Sequence, residues 1–390
     1  MAIPRVNLDA AGRAPLQPAA RAAFDAALDE GWADPHRLHS EGRRARSLLD
    51  AARASLAASL DARTEEVFLS GSHTASLHAA VVGVARGRRR AGRDIVVSAV
   101  ERAAVLAAAD FAVAEQWGPA TSADPGSRVT VGVDAFGRVD ADAMGRAVAA
   151  RGGVLAALQV ANGEVGTLQP IVTVAASARS AGVPLLVDAG AAVGHVEIPG
   201  DWDLLAADPG DWGGPGGLGV LAVRARVRWS PNWAADEDAW FPGGVSVPGA
   251  LAAAVALEHA VADRAAADTQ RRRLVDRIRA TVAATVPDVA VVGDPQGRLP
   301  HVVTFSCLYV DGEALLGELD RAGFAVGSGS ACTSSALEPS HVLAAMGVLT
   351  HGNVRLTLAP GVTDDDVDRF LAVLPAAVGR VRDMLGVRDL

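Results

Sequence analysis

Residues 154–188 read VLAALQVANGEVGTLQPIVTVAASARSAGVPLLVD and place two short apolar runs on either side of a segment of helical length. The runs Val154–Val160 and Leu185–Asp188 have the length and apolar content of strands that are buried on both faces. Val172–Ala181, which lies between them, has the length expected of a helix. The stretch therefore predicts a βαβ unit with two parallel strands.

The same alternation continues around this unit. Apolar runs bounded mostly by Gly, Asp or Pro predict further strands, and Ala-rich segments between them predict helices. The predicted strands are Val67–Ser70, Ile95–Val100, Leu204–Ala207 and Leu218–Val223, and the predicted helices are Thr74–Arg86, Arg102–Gln116 and Ala141–Ala150. The pattern favours a mainly parallel sheet covered by helices, with functional groups in the loops after the strands.

The pattern changes after Gly249, where a long Ala- and Arg-rich helix is predicted over Ala250–Ala284. The segment that follows reads as a smaller α+β domain. Its predicted strands are Val289–Val292, Val302–Phe305 and Val354–Leu358, and its predicted helices are Gly312–Ala322, Thr363–Leu374 and Ala376–Leu385.

Composition and charge argue against several classes of protein. The chain has no stretch near the roughly 20 apolar residues that cross a bilayer, and its first residues do not resemble a signal peptide. We therefore expect a soluble, cytoplasmic protein without membrane contacts. The formal net charge of −9 argues against a nucleic-acid surface. Two arginine runs, Arg88–Arg90 and Arg271–Arg273, are expected on solvated helix faces or loops.

All 36 basic residues are arginine, so the chain contains no lysine. A GC-rich genome favours arginine codons over lysine codons and would explain this composition. The absence of lysine has a chemical consequence whatever its origin. No side chain of this protein can form a Schiff base with an aldehyde cofactor.

Two cysteines are present, and their spacing indicates neither a zinc site nor a disulfide framework. Cys307 follows the apolar run Val302–Phe305 and is expected to be an inert strand residue. Cys332 lies in residues 327–335, which read GSGSACTSS. Glycine and serine give such a segment conformational freedom, and an exposed free thiol without a role is a liability.

Several motifs resemble those of the cysteine desulfurases of the NifS/IscS type, which belong to the class V aminotransferase fold family. They occur in the family's order along nearly the whole chain: Asn7-Leu-Asp-Ala-Ala, Glu66-Val-Phe-Leu-Ser-Gly, Val97-Ser-Ala-Val-Glu, Asn162-Gly-Glu-Val-Gly, Val187-Asp-Ala, Gly213-Gly-Pro, Ser328-Gly-Ser-Ala-Cys-Thr-Ser and Glu338-Pro-Ser-His-Val-Leu.

The resemblance implies a PLP-transferase type I fold of class α/β. A large domain over residues 15–255 would hold a mainly parallel, seven-stranded sheet, and residues 1–14 and 256–390 would form a small α+β domain. The resemblance also implies a dimer, because family members build the cofactor site across a two-fold interface. This chain would form a homodimer or pair with an active desulfurase.

The resemblance further implies that sulfur taken from cysteine is left as a persulfide on the loop cysteine, here Cys332. Arg355 matches the family arginine that holds the substrate carboxylate, and Asn162 matches the asparagine of a turn at the substrate site. Asp188 matches the aspartate that contacts the ring nitrogen of pyridoxal 5'-phosphate.

The remaining cofactor positions depart from the family. Asp211 stands where the family has its Schiff-base lysine, and Asp208 replaces a phosphate-binding serine. A carboxylate at Asp208 would oppose binding of a phosphate dianion by several kcal/mol. We therefore predict no covalent aldimine with pyridoxal phosphate, and we consider its noncovalent binding the weaker alternative.

Four more positions belong to this altered pocket. His73 replaces a compact hydroxyl of the phosphate loop, and Arg102 replaces the histidine that stacks on the ring. Ala191 replaces the glutamine beside the phenolic oxygen, whereas Ser246 keeps a hydroxyl in the segment that would cross the dimer.

Three carboxylates, Asp188, Asp208 and Asp211, are predicted to converge on this pocket near Arg102 and His73. Unpaired buried carboxylates are costly, so we predict that these charges pair with one another. A divalent metal held by His73 and the aspartates is the weaker alternative, and no metal is predicted.

Three functions remain open. The first is a sulfur relay that takes persulfide sulfur onto Cys332 from an active desulfurase and passes it to an acceptor protein. The second is a noncatalytic partner that regulates such a protein, and the third is an enzyme of altered chemistry that uses Arg102, Asp211 and Cys332. The tryptophan-rich segment 229–240 indicates either internal packing or a protein-binding surface.

Overall fold

The structure, a computed structural model, describes residues 5–115, 126–150, 152–234, 238–329 and 339–386. Cys332 lies outside these ranges, so what the sequence predicts for it stays a prediction.

The described residues form twelve strands, which are β1 Val6–Asn7, β2 Val67–Ser70, β3 Asp94–Ser98, β4 Arg128–Val131, β5 Gly153–Gln159, β6 Leu185–Asp188, β7 Leu204–Ala207, β8 Gly219–Val223, β9 Val289–Val292, β10 Val302–Cys307, β11 Phe324–Ala325 and β12 Asn353–Thr357. They also form ten α-helices, which are α1 Pro18–Glu30, α2 Ser40–Ser59, α3 His73–Arg88, α4 Ala103–Ala114, α5 Ala141–Ala149, α6 Ile171–Ala181, α7 Val247–Thr285, α8 Gly312–Arg321, α9 His341–Met346 and α10 Asp364–Met384.

Seven strands form one sheet in the order β2-β8-β7-β6-β5-β3-β4. Strand β8 is antiparallel to both of its neighbours, and the other pairs are parallel. Helices cover both faces, so successive residues of β5 enter different cores: Ala156 and Leu158 pack with α2, α6 and α7, whereas Leu155 and Ala157 pack with α3 and α4. The predicted fold class and mainly parallel sheet are confirmed.

A smaller sheet of order β12-β10-β9 is antiparallel, and β1 pairs in parallel with β11. A separate core contains Val6 and Leu8 from the start of the chain together with Phe305, Phe324 and Phe370. Helix α7 joins the two parts, because its first turns lie in the large core and its last turns in the small one. The predicted domain boundaries stay a prediction.

One prediction about an element is wrong, and some elements were not predicted. Residues 363–385 were expected to form two helices, but α10 continues through Pro375. Proline breaks a backbone hydrogen bond, yet the apolar side chains on both sides of it lie on one buried face, and their burial keeps the helix continuous. The edge strand β4 was not predicted, because its half-exposed residues do not form an apolar run.

The tryptophans of segment 229–240 differ in their surroundings: Trp229 and Trp240 pack together inside the protein, whereas Trp233 is largely exposed. Trp229 stacks on Trp240 with ring centroids 4.0 Å apart, and Trp240 is buried. Gly87 permits this packing, since a Cβ there would lie 2.4 Å from the Cα of Trp229. Trp233 is 55% exposed, although its indole N–H donates to the carbonyl oxygen of Trp240.

Three smaller findings concern expectations from the sequence. Cys307 is buried at the end of β10, and burial raises the pKa of its thiol to about 11, as expected for an inert cysteine. The arginine runs are not simply solvated: Arg88 is half-buried, and Arg271 donates to Nδ1 of the buried His195. No helix within the described ranges is both long and apolar enough to cross a bilayer.

A buried carboxylate ties β2 to β8. Glu66 accepts hydrogen bonds from the backbone and guanidinium of Arg63, from the Arg224 guanidinium and from the Ala225 backbone. Burial alone would raise the pKa of Glu66, but these donors outweigh it and lower the pKa to about 2.

We expect Glu66→Gln to lower the free energy of unfolding by about 3 kcal/mol at neutral pH, because two guanidinium groups lose their charge partner. Glu65→Gln is the control: Glu65 is exposed and pairs with Arg63 at the surface, so its loss should cost less than about 1 kcal/mol.

The pH dependence of this difference follows from the lowered pKa of Glu66. Its stabilisation is complete above the ordinary pKa of 4.5 and is lost as the pH falls through about 2. Urea unfolding of the two variants and the parent, measured across this range, checks both points. Equal stabilities of the Glu66 and Glu65 variants at neutral pH would contradict the assignment.

Candidate functional site

A cleft of about 320 Å³ lies at the carboxyl edge of the large sheet, where loops after successive strands face the small sheet. Arg102 follows β3, Asn162 follows β5, Ala191 follows β6 and Asp211 follows β7. Arg355 of β12 lines the cleft from the other side. The topology thus brings five of the predicted site residues around one cavity.

Asp188, the last residue of β6, is the electrostatic centre beside this cleft. Its carboxylate accepts hydrogen bonds from Arg102 Nε at 3.1 Å and from the Gly190 backbone at 2.9 Å. His73 Nε2 lies 3.1 Å from the other carboxylate oxygen, an ion-pair distance without the geometry of a hydrogen bond. Arg102 and His73 differ from the family's residues at their positions, and both contact Asp188, which matches the family's aspartate.

The Asp188 carboxylate is held in its ionised form. Burial by itself would raise its pKa, but the charges of His73 and Arg102 outweigh burial and keep the pKa well below the ordinary value. Gly190 makes the arrangement possible, since a Cβ at that position would lie 2.3 Å from the His73 ring. The pairing predicted for this cluster is present at Asp188.

Asp211 is buried in a short 3₁₀ turn, Pro209–Trp212, that follows β7. Its carboxylate accepts one hydrogen bond, from the Gly12 backbone at 2.9 Å. Burial and the nearby charge of Asp208 raise the pKa of Asp211 to about 7. The raised pKa favours a protonated Asp211, and no described residue forms with it the direct ion pair that the sequence predicts.

Asp208 caps the same turn and does not line the cleft. Its side chain accepts a hydrogen bond from the Gly210 backbone at 3.0 Å, and Arg13 approaches it to 4.0 Å. In the part of the chain that the structure describes, no three His, Cys, Asp or Glu side chains are grouped to hold a metal ion.

Asn162 shapes the loop at the cleft as well as lining it. Its side-chain oxygen accepts hydrogen bonds from the backbones of Glu164 and Val165, and its amide nitrogen donates to the Val100 carbonyl. Arg355 is buried, and its guanidinium lies 3.2 Å from an Asp9 carboxylate oxygen.

Ser246 lies away from the cleft. Its hydroxyl oxygen accepts a hydrogen bond from the Gly249 backbone and caps the first turn of α7. In this chain the hydroxyl that the sequence assigns to a dimer-crossing segment therefore has a local role in starting a helix.

Sequence reasoning missed two buried glutamates of the cleft, Glu101 and Glu164. One carboxylate oxygen of Glu101 accepts from the Gln159 backbone, and one of Glu164 accepts from the Ser340 hydroxyl. The second oxygen of each is buried without a hydrogen-bond partner among the described residues. Burial raises the pKa of both groups, that of Glu101 strongly. Their positions in two of the resembling motifs were the only available signal.

Two buried imidazoles lie behind Asp211. The rings of His195 and His301 are in contact, with centroids 3.9 Å apart and planes tilted by 31°, and His195 Nε2 is 3.0 Å from the Asp211 carbonyl oxygen. Burial and Arg271 lower the pKa of His195 to about 3, so this ring is neutral near pH 7. The cleft thus combines two guanidinium groups with carboxyl groups that tend to hold protons.

We expect Asp211→Asn to stabilise the protein at alkaline pH. Because the folded state raises the pKa of Asp211 from 3.8 to about 7, the parent loses stability as the pH rises between these values. The asparagine variant lacks this loss and should be more stable by about 4 kcal/mol near pH 8, with little difference near pH 4.

Urea unfolding at several pH values tests the Asp211 prediction, with the exposed Asp383→Asn as the matched control. A stability difference that does not change between acidic and alkaline pH would show that the Asp211 carboxyl has an ordinary pKa.

Comparisons with known proteins agree with this architecture. Residues 6–370 match the family described as aminotransferase class-V. A cysteine desulfurase of Gluconacetobacter diazotrophicus is 35% identical, with 97% of this chain and 94% of that protein covered. A cysteine desulfurase of Cereibacter sphaeroides is 36% identical, with 97% of each covered.

Among solved structures, a NifS-like protein superposes with a TM-score of 0.85 at 22% identity, covering 98% of this chain and all of that one, which shows a shared fold. By sequence and by fold, the chain belongs to the aminotransferase class-V family and is a homologue of cysteine desulfurases.

Proposed function

We propose that this protein is a sulfur relay of the cysteine desulfurase family, which receives persulfide sulfur on Cys332 and does not itself remove sulfur from cysteine. The observation that supports this most directly is the ion pair between Arg102 and Asp188 in a chain without lysine. It places a guanidinium on the carboxylate that the family uses for its cofactor.

Pyridoxal phosphate does not fit the residues present. No amine is available for its aldehyde, and the position of the lysine holds the buried Asp211. Asp188 already pairs with Arg102, and the His73 ring lies 3.1 Å from its carboxylate. A ring nitrogen that approached Asp188 would have to displace one of these side chains, and displacing Arg102 would remove the charge partner of its guanidinium.

Sulfur transfer to Cys332 needs no cofactor. The Cys332 thiolate attacks the outer sulfur of a persulfide on the donor protein, and a new S–S bond forms as the donor's S–S bond breaks. The donor cysteine leaves as a thiolate and takes up the proton released by Cys332. The exchange moves one sulfur atom without a net oxidant or reductant.

Cys307 cannot replace Cys332 in this reaction. Its side chain is fully buried in β10, and the raised pKa of its thiol leaves little thiolate at neutral pH. The two cysteines of the chain therefore form a matched pair for mutagenesis. We further propose that the protein acts as a dimer, with itself or with an active desulfurase, and hands its sulfur to an acceptor protein.

Intact mass spectrometry without reductant tests the proposal. After incubation with an active desulfurase and cysteine, we expect the parent and Cys307→Ala to gain the mass of one sulfur atom, and Cys332→Ser to gain none. A thiol reductant should remove the added mass.

The same measurement on the protein alone, with pyridoxal phosphate and cysteine, should show neither added sulfur nor retained cofactor. Added sulfur on the protein alone would contradict the proposal that it does not itself remove sulfur from cysteine. No added sulfur after mixing with the active enzyme would overturn the relay and favour a noncatalytic partner.

A further inference from the structure

A second concave site lies at the opposite edge of the large sheet and is lined by arginines. Its volume is about 810 Å³. We call it the arginine pocket, and the arginines that line it are Arg63, Arg88, Arg179, Arg224, Arg226 and Arg228.

The topology explains why these side chains meet. Strands β6 and β7 begin at this edge, and the antiparallel β8 ends there, so the arginines after β8 face the loops before β6 and β7. Helix α3 also ends there, at Arg88. The arginine pocket is thus separated from the cleft by the length of the sheet, and the two sites share no lining residue.

Six guanidinium groups face only three carboxylates in this pocket, whereas the whole chain carries a net charge of −9. Four arginines are engaged with these carboxylates. The pairs are Arg63 with Glu66, Arg224 with Glu66, Arg226 with Asp203 and Arg179 with Asp201. The pairing leaves Arg88 and Arg228 as the two arginines without a carboxylate in ion-pair contact among the described residues.

Arg88 is the inner member of this pair. One of its terminal nitrogens donates to the Gly182 carbonyl at 2.7 Å, but its Nε is buried without a hydrogen-bond acceptor among the residues that the structure describes. Burial and the like charge of Arg228 lower the pKa of Arg88. Arg88 and Arg228 thus line the same pocket, and Arg88 carries a buried donor that no described protein group satisfies.

We propose that the arginine pocket binds a multiply charged oxyanion, a diphosphate or a phosphate ester, between Arg88 and Arg228. Guanidinium groups form charge-assisted, often bidentate hydrogen bonds with phosphate oxygens. Such a ligand supplies acceptors for Arg88 and removes the repulsion between the two cations. Arg224 is not available for this role, because it stacks on Trp202 and pairs with Glu66.

One feature of the fold opposes an anion here. Helices α3 and α6 end at this edge, and the carbonyl groups of helix ends carry partial negative charge. Arg88 offsets part of it by its bond to Gly182. Affinity therefore depends on the guanidinium groups, and a monoanion should bind much more weakly than a polyanion.

Isothermal titration calorimetry of the full chain with inorganic pyrophosphate at low ionic strength tests this proposal. We expect saturable binding of one ligand per chain, and a loss of affinity of about tenfold or more in Arg228→Ala. Arg228 is exposed, so its removal leaves the core intact. Arg88→Ala should show the same or a larger loss, with its thermal unfolding measured to confirm folding.

Arg90→Ala is the matched control, because Arg90 follows the same helix end, is exposed and does not line the pocket. Its affinity for pyrophosphate should stay within about twofold of the parent, as expected for a distant screened charge. Absence of saturable binding, or an equal loss in Arg90→Ala and Arg228→Ala, would overturn the proposal.

ADP distinguishes the sources of such a ligand. Binding as tight as that of pyrophosphate assigns the site to the diphosphate group alone, and tighter binding that Arg228→Ala also weakens assigns it to a nucleotide. Cys332→Ser should bind pyrophosphate like the parent, so the outcome is independent of the proposed sulfur relay.

Discussion

The need to balance a buried negative charge at the end of β6 governs the arrangement of the side chains around Asp188. Asp188 is almost fully buried, and an unpaired carboxylate there would strongly destabilise the folded state. Arg102, just before α4, pairs with the Asp188 carboxylate, and His73, at the start of α3, lies 3.1 Å from it. Gly190 leaves space for both side chains. The Asp188 carboxylate is thus balanced by side chains of the chain itself.

The pKa of Asp211, the second buried aspartate at the site, changes in the opposite direction. No described cation contacts Asp211 directly, so burial and Asp208 raise its pKa toward neutrality, and the Gly12 backbone N–H donates to its carboxylate. Asp188, at the end of β6, and Asp211, in the turn after β7, thus have opposite pKa changes. The difference comes from their partners, because both are buried to a similar degree.

The sheet separates two sites of different character. Its carboxyl edge carries a cleft with proton-holding carboxyl groups, and its amino edge carries a pocket in which arginines outnumber carboxylates two to one. In a parallel sheet the loops that precede strands lie at one edge and the loops that follow strands lie at the other, so the topology itself separates the two sites. The antiparallel β8 adds its C-terminal arginines to the amino edge.

The sequence by itself determined the alternation of most strands and helices of the large sheet and the absence of a lysine, because apolar runs and composition are local properties. It also indicated, through the family's motifs, that Asp188, Arg102 and Asp211 belong to one region. Only the tertiary structure decided that Ser246 caps a helix, that α10 passes through Pro375 and that Arg88 and Arg228 line one pocket. These outcomes depend on burial and on charges contributed by distant segments, and neither quantity is contained in a local pattern of residues.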